Sequence, residues 1–118
     1  MTLPSADPAC LFCKIIAGTI PAARVAETAD AIAFRDIAPQ APVHLLVVPR
    51  THVGSLDAAE DAALLGGVLA LARQVARDQG IVEAGYRCVI NTGADGGQTV
   101  GHLHVHVLGG RALGWPPG

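Results

Sequence analysis

The sequence has few aromatic side chains, with two phenylalanines, one tyrosine and one tryptophan among 118 residues. A hydrophobic core must therefore be packed mainly from alanine, valine, leucine and isoleucine. The chain is also short, and a chain of this length can build one such core but not two. We therefore expect a single domain that spans residues 1–118.

Charge is scarce as well, and the basic residues are scattered. Eight lysines and arginines against ten acidic residues give a formal net charge of -2, which provides no basic surface for a nucleic-acid partner. The longest strongly apolar stretch, residues 62–72, is too short to cross a bilayer, so no membrane partner is expected. The N-terminus lacks a basic region followed by an apolar one, which argues against a signal peptide and favours a cytoplasmic protein.

Three cysteines, an odd number, do not make a disulfide framework. Cys10 and Cys13 have the C-x-x-C spacing that supplies two thiolates to zinc, and His52 and His102 are candidates for the remaining two ligands. Two alternatives stay open. One is a thioredoxin-like dithiol, which needs a strand leading into the motif; the other is a pair of buried cysteines without a metal. Cys88 lies in an apolar segment and is expected in the core.

Hydrophobic periodicity and capping residues predict two helices and five strands. The first helix is expected over residues 8–17, capped by Asp7. The second is expected over residues 57–79, opened by the capping-box pair Asp57 and Glu60. The predicted strands cover residues 24–28, 31–36, 43–49, 86–91 and 101–110.

Two adjacent glycines, Gly66 and Gly67, lie inside the second predicted helix. Each costs a helix about 1 kcal/mol relative to alanine. Either a long helix tolerates this weak point, or another backbone, such as a partner helix, approaches closely there. The sequence leaves both explanations open.

Three histidines, His102, His104 and His106, alternate with apolar residues near the C-terminus. The alternation predicts a strand buried on one face, with all three imidazoles on the other. Neighbouring histidines would stand about 7 Å apart and the outer two about 14 Å apart, so one zinc ion could hardly bind all three. Ordinary hydrogen bonds on a half-exposed sheet would explain a single histidine. Three within five residues indicate a site in which the roles are divided.

A glycine-rich loop, residues 91–99, leads into this histidine row. Backbone N–H groups of such a turn can surround an anion, and Thr99 adds a hydroxyl donor. A histidine near neutral pH can act as a nucleophile or base, while a protonated neighbour stabilises negative charge. The loop alone could be a hairpin connection. Together with His104 and His106 it favours phosphoryl or nucleotidyl transfer.

The motif HLHVHVL at residues 102–108 resembles the histidine triad, and the chain is similar to the histidine triad (HIT) superfamily, Hint branch. The similarity runs almost end to end. It includes LFCKII at 11–16, FRDI at 34–37, PQAPVH at 39–44, the loop 91–99, LGGR at 108–111 and GWPPG at 114–118. The resemblance implies an α+β fold with a five-stranded antiparallel sheet and two helices, paired into a homodimer.

The resemblance also implies hydrolysis of purine nucleoside phosphoramidates, such as adenosine 5′-phosphoramidate, AMP-lysine compounds and acyl-adenylates, with release of AMP. His104 would attack the α-phosphorus to give a nucleotidyl-histidine that water then resolves. The implied catalytic residues are His44, His102, His104 and His106. The implied substrate-binding residues are Phe12, Ile15, Phe34 and Ile37 for the purine, Asp36 for the ribose hydroxyls, Asn91, Gly97, Gln98 and Thr99 in the phosphate loop, and Trp115.

Two further implications concern the metal and the tail. Bacterial members of this type bind structural Zn²⁺ through two cysteines and two histidines, which would here be Cys10, Cys13, His52 and His102, and no organic cofactor is implied. The tail, residues 111–118, would contribute to the dimer and carry Trp115 toward the partner's site. Thr99 stands where Hint proteins commonly have serine, and the hydroxyl is kept.

Two other functions remain open after the resemblance is taken into account. One is hydrolysis of dinucleoside polyphosphates, as in the Fhit branch. The other is a nucleotide-binding regulatory module in which catalysis is incidental. The tail sequence GWPPG and the loop 91–99 favour the Hint branch.

Overall fold

Five strands form one antiparallel sheet with a helix against each face. The structure, a computed structural model, describes residues 6–118. Its elements are α1 (Leu11–Ala17), β1 (Arg24–Glu27), β2 (Ala31–Arg35), β3 (Val43–Pro49), α2 (Ala62–Asp78), β4 (Tyr86–Val89) and β5 (Val105–Gly109). The strand order is β1-β2-β3-β5-β4, and every neighbouring pair is antiparallel. The predicted α+β fold with five antiparallel strands and two helices is confirmed.

Alternation along the strands divides the apolar side chains between two cores. In β2, Ala31 and Ala33 pack with α2, whereas Ile32 and Phe34 pack with α1. The side chains that α2 contributes to its core are Val68, Leu71, Ala72, Val75 and Ala76. The face covered by the short α1 is the one that carries the candidate functional residues described below.

The first helix begins three residues later than predicted. The Asp7 carboxylate accepts the N–H of Ala9 at 2.9 Å and so stabilises a turn before the helix rather than the helix itself. The residue that caps α1 is Cys10, whose Sγ accepts the N–H of Cys13 at 3.4 Å. The predicted end of this helix, at a left-handed glycine, is confirmed.

The second helix also begins later than predicted, directly after Asp61 rather than at residue 57. The Asp61 carboxylate accepts two N–H groups of the first helical turn, which satisfies the donors that a helix start leaves free. The two glycines inside α2 differ. A Cβ at Gly67 would lie 3.2 Å from the Cβ of Asp30, whereas a Cβ at Gly66 would meet nothing within 4 Å of this chain.

The last strand is shorter than predicted, and it begins at Val105 rather than at residue 101. The backbone before it bonds elsewhere, because the N–H of Leu103 donates to the carbonyl of Val53 at 2.7 Å. His102 and His104 therefore lie in irregular backbone, and only His106 lies in a strand. The prediction that all three histidines share one strand face is wrong.

Cys88, expected in the core, is exposed. It lies in β4, which is at the edge of the sheet. The main contacts of α2 are with β1, β2, β3 and β5 rather than with β4, so this helix covers the edge strand little. Tyr86, which shares a strand face with Cys88, is also exposed.

Membrane insertion is not supported by the helices. Neither helix within residues 6–118 is long and apolar enough to cross a bilayer. The expectation of no signal peptide concerns in part residues 1–5, which lie outside the described residues.

Candidate functional site

A cavity of about 290 Å³ opens between α1, β2 and the segment that leads into β5. Its walls include eight residues that the sequence predicted for a substrate site: Phe12, Ile15, Phe34, Asp36, Ile37, Thr99, His104 and His106. Its walls also include residues that sequence reasoning missed: Leu11, Ile20, Pro21, Ala22, Arg35, Leu46 and Val100. Most of these lie in connectors or at element ends, where periodicity carries no signal. The cavity is mostly apolar, with polar groups along one side.

Phe12 of α1 holds the cavity wall against the histidine segment. Its ring makes edge contacts with three others, at centroid distances of 5.6 Å to Phe34, 5.9 Å to His102 and 5.2 Å to His104. Such contacts add to the stabilisation that burial gives an aromatic ring. The side chain is only 4% exposed. Phe12 therefore positions His104 as well as lining the cavity.

His104 is oriented by the backbone two residues before it. Its Nδ1 lies 2.7 Å from the carbonyl oxygen of His102. A carbonyl oxygen only accepts, so Nδ1 carries the proton, and this hydrogen bond assigns the tautomer. The other ring nitrogen, Nε2, then carries the lone pair. A neutral imidazole with its lone pair at a cavity wall is a competent nucleophile.

His106 has the opposite tautomer, which follows from a series of hydrogen bonds. The N–H of Gln40 donates to Nδ1 of His44 at 2.9 Å, so the neutral His44 ring carries its proton on Nε2. That Nε2 lies 2.9 Å from Nδ1 of His106 and 3.4 Å from Oδ2 of Asp36. Donation to His106 leaves the proton of the neutral His106 ring on its Nε2. The cavity is thus lined by one histidine with a lone pair and one with an N–H donor on Nε2.

Burial favours the uncharged form of the His106 and His44 rings. It lowers the pKa of His106 to about 4, and the neighbouring His104 and His44 act in the same direction. Burial also lowers the pKa of His44, although the Asp36 carboxylate partly opposes this. The hydrogen-bond series described above requires neutral rings, and both pKa shifts favour them near neutral pH.

The glycine-rich loop uses several of its donors internally. The N–H of Gly97 donates to Ala94, and the N–H of Gln98 donates to Gly93. The Gln98 side chain accepts from the N–H of Gly93 and donates to the carbonyls of Gly54 and Val100, at 2.7 and 2.9 Å. Gln98 therefore holds two loops together, and Thr99 is the loop residue that reaches the cavity.

Four of the predicted substrate-binding residues do not line the cavity of their own chain: Asn91, Gly97, Gln98 and Trp115. Asn91 is half-buried at the start of the loop, and Trp115 is 82% exposed on the tail. The tail is held by Arg87, which donates to the carbonyl of Gly114 at 2.8 Å and lies 6.0 Å from the Trp115 ring. The prediction that Trp115 acts in a partner's site stays a prediction.

The four residues predicted to bind zinc converge behind the histidine segment. Their ligand atoms, from Cys10, Cys13, His52 and His102, all lie within 4.8 Å of one another. Nδ1 of His102 is 3.3 Å from Sγ of Cys10, 3.6 Å from Sγ of Cys13 and 3.2 Å from Nδ1 of His52. A tetrahedral zinc, with bonds of about 2.3 Å to sulfur and 2.0 Å to nitrogen, separates its ligand atoms by about 3.3–3.8 Å. The cluster fits a zinc ion.

Proton positions in this cluster also suit a metal. Nε2 of His102 lies 2.9 Å from the carbonyl of Pro49 and must donate to it, which turns the Nδ1 lone pair toward the cysteines. The thiol sulfurs accept the N–H groups of Asp7 and Cys13, each at 3.4 Å. Burial raises the pKa of Cys13, so a dication would offset the cost of holding a thiolate there. In the described part of the segment before the C-x-x-C motif, residues 6–9, the backbone turns at residues 8 and 9 and forms no strand, which does not favour the thioredoxin-like alternative.

Comparisons with known proteins agree with this geometry. The HIT domain family model matches residues 17–113. An uncharacterised HIT-like protein of Synechococcus elongatus is 54% identical over 110 residues, which cover 92% of this chain and 96% of that protein. The crystal structure of a HIT family hydrolase from Legionella pneumophila is 49% identical with a TM-score of 0.90, covering 92% and 99% of the two chains. A histidine triad protein from Clostridium difficile is 39% identical with a TM-score of 0.88, covering 92% and 96%.

Proposed function

The chain belongs to the HIT domain family, and we propose that it hydrolyses purine nucleoside phosphoramidates through a nucleotidyl-histidine intermediate, releasing AMP. Its similarity to a HIT family hydrolase supports a hydrolytic enzyme. One observation carries the proposal. The cavity is lined by two histidines whose hydrogen bonds assign opposite tautomers to the neutral rings, with the lone pair on Nε2 of His104 and the proton on Nε2 of His106.

The reaction divides into two steps that follow from these protonation states. Nε2 of His104 attacks the α-phosphorus, the bond from phosphorus to nitrogen breaks, and the leaving amine takes up a proton from solvent. Nδ1–H of His104 stays bonded to the His102 carbonyl, which stabilises the positive charge that develops on the ring. Water then attacks the phosphorus, AMP leaves, the proton returns to solvent, and His104 is regenerated.

The charge on the phosphate is balanced by donors rather than by a basic surface. Nε2–H of His106 donates to a phosphate oxygen, and the Thr99 hydroxyl supplies a second donor from the cavity wall. His44 acts through His106, because its Nε2–H holds Nδ1 of that ring. Asn91 and Gly97 lie outside the walls of this cavity, and the N–H of Gly97 donates to the carbonyl of Ala94, so their role in binding phosphate stays a prediction.

The nucleoside lies along the apolar part of the same cavity. Phe12, Ile15 and Phe34 are buried and provide the flat, apolar surface that a purine prefers. Asp36 lies at the edge of the cavity and accepts hydrogen bonds from the ribose hydroxyls. Ile37 is fully exposed beside it, at 100%, and covers the base at the cavity mouth.

The metal cluster has a structural role in this proposal. Cys10, Cys13, His52 and His102 hold Zn²⁺, which when bound cross-links α1 to the backbone that leads into β5. The chemistry remains with the protein's own residues. His102 binds the metal with its side chain and orients His104 with its carbonyl oxygen.

We also propose that the chain forms a homodimer in which the tail, residues 111–118, reaches the partner's site. The support is exposed apolar surface near the sheet edge and α2. Leu69 is 49% exposed, Val82 43% and Tyr86 37%. Trp115 is 82% exposed, as expected for a side chain whose contacts lie on another molecule. Light scattering on the purified protein measures the assembly directly.

The experiment that tests the function compares turnover of adenosine 5′-phosphoramidate with that of a diadenosine polyphosphate. We expect AMP release from the phosphoramidate to be faster by a wide margin. His104→Ala should abolish turnover and leave AMP binding, measured by calorimetry, largely intact, because the purine and ribose contacts lie elsewhere. Preference for the dinucleotide would indicate the polyphosphate hydrolase instead. Unchanged turnover in His104→Ala would contradict the mechanism.

A further inference from the structure

Arg111 is bound to the loop between β2 and β3. Its Nε and Nη2 both donate to the carbonyl oxygen of Gln40, at 3.2 and 2.9 Å, and its Nη1 donates to the carbonyl of Ala112 at 3.0 Å. The preceding Gly110 makes this possible. It has a φ of 88°, and a Cβ there would lie 2.9 Å from the Cβ of Pro42. The backbone after β5 thus packs closely against the loop between β2 and β3, and Arg111 binds the same loop through the carbonyl of Gln40.

The residue that Arg111 holds is the one that sets the tautomer of His44. Gln40 accepts from Arg111 through its carbonyl and donates its N–H to Nδ1 of His44. The N–H of Asp36 donates to the carbonyl of His44 at 3.0 Å and closes the ends of the loop. Within the loop, the N–H of Ala38 donates to Oδ1 of Asp36 at 2.8 Å, and Nε2 of Gln40 donates to the carbonyl of Ala38 at 3.0 Å. Between these ends, Arg111 is the charged side chain that binds the Gln40 backbone. We call Arg111, Gln40, His44 and His106 the Arg111 network.

Loss of the Gln40 hydrogen bond would allow the protonation of two rings to reverse in part of the molecules, against the Asp36 carboxylate, whose Oδ2 lies 3.4 Å from Nε2 of His44 and favours a proton there. Without that donor, Nδ1 of His44 can carry the proton, and Nε2 becomes an acceptor. His106 must then donate through its own Nδ1, which leaves a lone pair on its Nε2. Both histidines at the cavity would then carry lone pairs, and the N–H donor that faces phosphate would be lost.

We propose that Arg111 is a positioning residue, which holds Gln40 in place and so keeps the proton of His106 on the nitrogen that serves the cavity. The consequence for turnover rests on the proposed function, whereas the consequence for the tautomers does not. Arg111 touches neither the cavity walls nor the reacting atoms. Hydrogen-bond partners that orient the ligands of a metal site typically contribute about 10- to 100-fold to activity, and we expect an effect of similar size for Arg111.

The tail offers a matched control for this proposal. Arg87 also anchors the tail, through the carbonyl of Gly114, but it makes no bond to the loop that carries Gln40. Arg87→Gln therefore loosens the tail without removing the donor of the Arg111 network. Arg111→Gln removes the paired donation to the Gln40 carbonyl. Arg111→Lys keeps the charge and one donor group, and it should therefore keep part of the wild-type tautomer pattern and of the wild-type kcat.

The measurement combines nitrogen-15 NMR of histidine-labelled, metal-loaded protein with steady-state kinetics on adenosine 5′-phosphoramidate. Ring nitrogen shifts distinguish protonated from unprotonated positions. In Arg111→Gln we expect the His44 and His106 shifts to move toward mixed tautomers, with kcat about 10-fold lower and KM unchanged. In Arg87→Gln we expect the tautomers of the wild-type protein. Arg111→Lys should lie between the wild type and Arg111→Gln.

Three results would overturn the proposal. The first is a wild-type tautomer pattern in Arg111→Gln, and the second is an equal change in Arg87→Gln, which would make the effect one of the tail in general. The third is a changed tautomer pattern without any loss of kcat. Failure of the wild-type protein to release AMP from the phosphoramidate would instead refute the proposed function, and the NMR result would still decide the role of Arg111.

Discussion

The neutrality of His106 makes the stability of the protein depend on pH in a defined window. Burial lowers the pKa of this ring from an ordinary 6.5 to about 4 in the folded protein. Between these values the unfolded chain binds a proton at His106 that the folded protein does not bind. Stability is therefore full above pH 6.5 and falls as the pH is lowered toward 4.

The size of the effect follows from the two pKa values. Near pH 5.2, His106 would bind about 0.9 proton more in the unfolded chain than in the folded protein, which corresponds to a slope of about 1.2 kcal/mol per pH unit. Solvent reaches part of the ring and screens its surroundings, so we expect a slope between about 0.5 and 1.2 kcal/mol per pH unit. The pKa of His44 is also lowered by burial and adds a contribution of the same sign.

The assay is denaturant unfolding at a series of pH values from 7 down to 4, on the wild type and on His106→Asn. The asparagine variant removes the titrating group, and metal release occurs in both proteins and cancels in the difference between their slopes. His44 loses a hydrogen-bond partner in the variant, so the difference reports His106 together with its coupling to His44, and the His44 titration is followed separately by NMR in both proteins. Equal slopes in the two proteins, or a His106 titration near pH 6.5 by NMR, would show that the ring is not held neutral by its surroundings.

Four further predictions test other parts of the structure. Gly109→Ala should destabilise the protein by about 1–3 kcal/mol in unfolding experiments, because its Cβ would lie 2.7 Å from Cδ1 of Ile81; Ile81→Val in the same chain should recover part of the loss. Gly66→Ala should stabilise the protein by about 1 kcal/mol, and weaker dimerisation by light scattering would instead reveal a partner helix there. Thr99→Ala should lower kcat about 10- to 100-fold, whereas Thr99→Ser should retain it. Cys13→Ser should lower the bound zinc, measured by elemental analysis, from about one ion per chain to a small fraction.

The sequence predicts most of this fold because its strands and caps are local signals. Val43–Pro49 is bounded by prolines and agrees in full with the observed β3, and the second helix ends near Gln79 as predicted. The helix starts were misplaced because more than one residue near each start can accept the free N–H groups of the first turn. Asp7 and Asp57 each satisfy a simple rule, but the caps are Cys10 and Asp61.

The start of the last strand was predicted wrongly for a different reason. Alternation of histidine with apolar residues is a property of the sequence, whereas strand pairing depends on a partner at the right distance. Val105 finds that partner in β3, while Leu103 bonds to Val53 in a separate loop. The cavity residues missed by the sequence, such as Ile20 and Val100, come together only through this tertiary arrangement. The hydrogen bond from Nδ1 of His104 to the backbone carbonyl of His102 could not be predicted from the sequence, because every residue has such a carbonyl.

The position of Trp115 determines what the protein's fluorescence reports. It is the one tryptophan in the chain, and 82% of its surface is open to solvent. Its emission is therefore that of a solvated indole in the native monomer, and unfolding of the two cores changes its surroundings very little. Docking of the tail on another molecule would shift the emission to shorter wavelength. Tryptophan fluorescence would therefore report docking of the tail rather than unfolding, and stability must be followed by circular dichroism or calorimetry.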